Sequence, residues 1–130
     1  MHDFIRREES RFFRSGSFDS REVASQIALE VLMIGAPDVR ITQQADWIAV
    51  SSGSDWHVGL GGDVFDRFAP IPGSGRNAVT SEVLLAVFSP AVVTAVNGEV
   101  TVIKGESLGP LAEHVPNRGR VVAFQVPTEQ

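Results

Sequence analysis

Asn97-Gly98 separates two runs, 91–96 and 99–104, both rich in Val and Thr. Both residues of that dipeptide tolerate the positive φ that a two-residue type I′ turn demands, so the runs are expected to pair as a tight antiparallel hairpin. A second hairpin is expected earlier. There Val39 and Ile41 alternate with Asp38, Arg40 and Thr42, residues 43–46 supply a turn, and 47–51 forms the returning run. A last strand is expected at 121–126, after a connector, 105–118, with a helical turn at 108–114.

Two helices are expected. Asp19 with Glu22 three residues on resembles a capping box, and Gly35-Ala36-Pro37 is a stop, which bounds a helix at 20–34. Val23, Ile27, Val31 and Ile34 form its apolar stripe beside Ala24 and Ala28, with Arg21, Glu22, Gln26 and Glu30 assigned to other faces. The second helix, 78–88, is capped by Asn77 and ended by Ser89-Pro90, and its only charge is Glu82, so it should be deeply buried. Between them, residues 53–77 hold six of the twelve glycines together with Pro70 and Pro72. That spacing permits at most a short strand at 56–60.

The order is helix, two strands, glycine-rich loop, helix, three strands. It predicts an α+β domain whose antiparallel sheet of about five strands carries both main helices on one face. The core is expected to contain Val23, Ile27, Val31, Val83, Leu84, Val87, Val93, Val102 and Val122. In element order alone, the chain is similar to profilin-like and roadblock-like regulatory domains and to the small acidic dimeric chaperones of bacterial secretion systems.

At 130 residues the chain suits one domain, 19–130, preceded by an N-terminal arm, 1–18. The arm carries Phe4, Phe12, Phe13 and Phe18, half of all the phenylalanines, among Arg6, Arg7, Arg11 and Arg14. So many aromatics predict docking, either on the chain's own core or on a second subunit. The arm and an unpaired sheet edge together suggest a homodimer.

Composition removes several classes of function. Without cysteine there is no thiol nucleophile and no thiolate metal site. A net charge of -5 disfavours nucleic acid and anionic lipid as partners. No apolar run reaches spanning length and no signal-peptide centre stands near the start, so a cytoplasmic protein away from membranes is expected. Ten arginines against the single Lys104 fit the codon bias of a GC-rich bacterium.

Chemistry-bearing residues gather in 53–77. On a strand, Asp55 and His57 would share a face, where the carboxylate could orient the imidazole as a general base, with Asp63 nearby as a third candidate. A turn-capping Asp and a surface His explain the same letters. Gly73-Ser74-Gly75-Arg76-Asn77-Ala78 spells a dinucleotide fingerprint, but Pro70-Ile71-Pro72 stands where the preceding strand should be. What survives is a small-anion site formed by Gly75, Arg76 and Asn77 at the start of the second helix, against a surface Arg76 that merely pairs with an acid. Trp56 and Trp47 are candidates to stack a ligand or anchor an interface, and equally to be core. His2, His57 and His114 show no metal-ligand spacing, so no metal and no cofactor is expected. The expected function is a non-enzymatic interaction module of a bacterial cytosol: a regulatory subunit, a secretion chaperone or an immunity-type partner. The alternative is a small enzyme or anion-binding domain using the loop 53–77.

Overall fold

The computed structural model describes residues 1–72 and 78–128. It is an α+β domain. Two short helices, α1 (His2–Arg7) and α2 (Glu9–Phe12), precede α3 (Ser20–Ile34). The hairpin β1 (Arg40–Gln44) and β2 (Trp47–Ser52) follows, then α4 (Glu82–Phe88), β3 (Val92–Val96), β4 (Glu99–Lys104) and β5 (Arg120–Gln125). The five strands form one antiparallel sheet in the order β1-β2-β5-β3-β4. Asn97 and Gly98 both adopt positive φ, as the β3-β4 turn requires.

One sheet face supports the helices. Val23, Ile27 and Val31 of α3 and Val83, Leu84, Leu85 and Val87 of α4 pack with Ile48, Val50, Val92, Val122 and Phe124. The arm lies on this same core. Ile5 is fully buried, and the rings of Phe13 and Phe18 pack on Phe88 with centroids 5.5–5.6 Å apart. Arg6 Nη2 donates to Val87 O at 2.8 Å, at the end of α4 where carbonyls lack helical partners. On the opposite face Trp47, Val93, Val121 and Ala123 are covered by Leu111, carried on a 3-10 turn, Gly109–Ala112. Gly109, at φ 54, lies against the Trp47 ring, and a Cβ there would come within 2.7 Å of it.

Four expectations are corrected. Residues 56–60 form turns rather than a strand. The second helix begins at Glu82, not at 78, because the backbone of 78–80 hydrogen-bonds to 69–71 instead: Ile71 N to Ala78 O, Thr80 N to Ala69 O. Val102 is 41% exposed. It stands opposite Val93 on edge strand β4, beyond the reach of the cover that Leu111 provides over β5. The polar assignment on α3 also inverts in part: Glu30 is buried, whereas Leu29, Leu32 and Met33 are exposed. Asn77, the expected cap, lies outside the described residues. Among those residues no helix is long and apolar enough to cross a membrane.

Candidate functional site

The segment after β2 is pinned at its entrance. Asp38 accepts from Gly53 N, and Asp55 Oδ1 accepts from His57 N at 3.0 Å, an Asx turn that tightens 55–57. Arg120 of β5 donates from Nε to Asp55 Oδ1 at 2.5 Å and from Nη1 to Thr94 Oγ1 at 2.9 Å. Burial alone would raise the Asp55 carboxyl, but hydrogen bonds from Arg120 and the His57 amide, with the guanidinium charge, outweigh it and hold the group below its usual range. Asp55 therefore serves Arg120 and the turn. It does not orient the imidazole.

Glu82 does. His57 Nε2 lies 2.7 Å from Glu82 Oε2, which also accepts from Trp56 Nε1 at 3.2 Å. Glu30 of α3 reaches the same place. The Ser81 amide donates to Glu30 Oε1 at 3.0 Å and to Glu82 Oε1 at 3.2 Å, so one N–H orients both carboxyls. Glu30 and Glu82 are 2% and 0% exposed. Burial, followed by the contact with Glu82, pushes the Glu30 carboxyl up to about 11. Burial acts upward on Glu82 too, but its bonds to His57, Glu30 and Trp56 prevail and leave it lowered. Two carboxyls this close in a low-dielectric interior do not both ionise, and the one with the better donors keeps the charge. Glu30 Oε2 is buried without a hydrogen-bond partner.

His57 connects this interior to the surface. Its ring packs edge-on against Trp56 and Phe65, at 5.2 and 5.7 Å, and lines a cleft of about 430 Å³ with Asp55, Phe65, Thr94, Ile103 and Arg120. With Nε2 engaged by Glu82, Nδ1 is the ring nitrogen left for anything in the cleft. Of the sequence candidates, Asp55, Trp56 and His57 are thus brought together. Trp56 is core and a hydrogen-bond donor to Glu82, not a stacking platform. Asp63 stands apart, exposed, with its Oδ2 2.6 Å from Arg67 Nε, whose hydrogen bond and charge lower its carboxyl. Gly75, Arg76 and Asn77 lie outside the described residues. Glu82, the one charge of the second helix, is fully buried.

Sequence reasoning missed Glu30 and Glu82. The signal was present: Glu30 falls seven residues after Val23 and three after Ile27, on the buried stripe, and Glu82 is a lone charge on an apolar helix. Charges in such places are almost never fully buried without a partner, which makes the partner worth seeking.

A second region has a different character. Leu29, Leu32 and Met33 on the outer side of α3 are 61%, 50% and 44% exposed, and Ile41 of β1 is 46% exposed. A groove of about 330 Å³ runs between the two elements, lined by Ala24, Ser25, Ile41, Thr42 and Ile48. All five residues of β1 are exposed, and its outer edge has no strand beside it in the sheet. Comparison of the chain with protein-family models, with curated proteins and with solved structures finds no match.

Proposed function

We propose that this chain is a non-enzymatic protein-interaction module that works by pairing through the outer face of α3 and the edge of β1, with a second copy of itself as the first partner. The observation that carries this reading is the exposure of Leu29, Leu32 and Met33 on the longest helix, beside an unprotected strand edge. Free edges are ordinarily blunted by lysine, proline or a bulge, and Arg40-Ile41-Thr42-Gln43-Gln44 has no lysine or proline and pairs with β2 in unbroken register. Antiparallel self-pairing about Thr42 sets each Arg40 opposite a Gln44, so no like charges meet, and it brings the two α3 stripes to the same side of a continuous sheet. The arm, with Ile5, Phe13 and Phe18 turned into its own core, leaves α3 as the larger apolar surface. The arginine bias and the lack of cysteine favour a bacterial cytosol as the setting, where such a module serves as a regulatory subunit, a chaperone or an immunity-type partner.

Sedimentation velocity tests the proposal. A dimer at tens of micromolar that Leu32→Glu converts to a monomer with unchanged circular dichroism is the expected result, and a wild-type monomer at hundreds of micromolar overturns it. The His57 cleft favours a second reading, a small enzyme or anion-binding domain, since Glu82 fixes an imidazole beside a cavity walled by Arg120. Arg120 is already engaged by Asp55, which weakens its pull on an anion.

A further inference from the structure

We propose that Glu30, Glu82 and His57 form a binding site for a divalent first-row cation of the Zn²⁺ or Mn²⁺ class. This inference is independent of the interaction surface and concerns the opposite side of α3. Each residue offers one ligand atom, and these atoms all lie within 4.8 Å of one another. Metal–ligand bonds of about 2.0–2.2 Å in a tetrahedral set place neighbouring ligand atoms about 3.3–3.6 Å apart, so a cation draws the more distant ligand atoms inward and opens the His57–Glu82 contact.

The surroundings are built as a metal site is built. Three separate segments contribute: α3, the turn at 55–57 and α4. One oxygen of each carboxyl is fixed by the Ser81 amide, leaving the Oε2 atoms for other partners. Glu82 Oε2 meets the imidazole and is steadied by Trp56 Nε1, the outer-shell donor that ligating carboxylates usually have. Glu30 Oε2 has no hydrogen-bond partner although Glu30 is 2% exposed, and a buried acceptor in that condition is costly unless something else occupies its lone pairs. Charge points the same way. Among the described residues neither Glu30 nor Glu82 pairs with an arginine or lysine, and one imidazole faces two carboxyls. Neutral imidazole with two carboxylates is a borderline-to-hard donor set that suits Zn²⁺ or Mn²⁺ over Cu⁺. The cleft beside His57 gives an entry path.

The test uses the full chain after chelator treatment and dialysis, titrated separately with Zn²⁺ and Mn²⁺ by calorimetry, with melting curves in parallel. The expected result is one ion per chain with micromolar or tighter affinity for at least one of the two, and a rise in Tm of several degrees in excess metal. Glu30→Gln keeps the side-chain volume and the amide contact, so it should fold, and it is expected to weaken binding at least tenfold. Loss of the free Mn²⁺ paramagnetic resonance signal gives a second readout for that ion. Absence of binding by either ion at a hundred micromolar, or equal binding by wild type and Glu30→Gln, overturns the site; in that case Glu30 and Glu82 are bridged by a proton alone.

Discussion

Helix α3 has two sides that break the usual rule in opposite directions. Its inner side buries a carboxyl, Glu30, among Val23, Ile27 and Val31, while its outer side leaves Leu29, Leu32 and Met33 in solvent. The inner exception is met in part within the chain, by the Ser81 amide and by the neighbouring Glu82, which His57 and Trp56 hold. No such compensation exists for the outer one among the described residues. A buried carboxyl and an exposed apolar stripe therefore carry different information: the first marks a site that the fold assembles from its own groups, the second a surface whose partner comes from outside.

The comparison breaks most sharply at Glu82. Replacing it by Ala strips the acceptor from His57 Nε2 and Trp56 Nε1 in one step, and breaking a buried pair of this kind costs about 3–5 kcal/mol. Urea denaturation of metal-free protein measures this, and a loss under about 1 kcal/mol would mean that water or a neighbour replaces the carboxylate. Next comes the contrast within α3. Ile27→Ala, on the inner side, should cost about 2–5 kcal/mol, and Leu29→Ala, two residues on, within about 0.5 kcal/mol in the monomer. Comparable losses at the two positions would refute the assignment of inner and outer faces.

The last of these effects concerns Asp55 and depends on pH. Its carboxyl is lowered in the folded state, so the pair with Arg120 stabilises the fold above the unfolded value near 3.8 and loses that contribution as pH falls through the folded value. Asp55→Asn should thus cost about 1 kcal/mol at neutral pH, a partly exposed pair being screened, and the difference from wild type should close below pH 3.8. A gap that persists unchanged at pH 2 would assign the effect to the Asx turn instead.

Local signals made much of this legible. Asp19 and Gly35 bounded α3 at the residues where it begins and ends, since Asp19 accepts from the Arg21 and Glu22 amides and Gly35 takes the left-handed conformation. Asn97-Gly98 located the β3-β4 hairpin. What escaped was non-local. Glu30, His57 and Glu82 are 27 and 25 residues apart along the chain, and nothing in any one stretch says that α3, a turn and α4 converge. The pairing of Asp55 with Arg120, 65 residues away, was hidden for the same reason, and the apparent partnership of Asp55 with His57 was an artefact of proximity in sequence.

The strand order has a consequence for synthesis. β5 lies between β2 and β3, so the latest of these five strands to be synthesised is the one that joins the two hairpins. Until Arg120–Gln125 emerges, β1-β2 and β3-β4 each present two open edges, and the core residues Val122 and Phe124 are missing from under the helices. The two hairpins become one sheet only when β5 is in place between them. A stop codon before residue 120 would release a chain that lacks both the joining strand and the core residues Val122 and Phe124, a substrate for chaperones and proteases rather than a shortened domain.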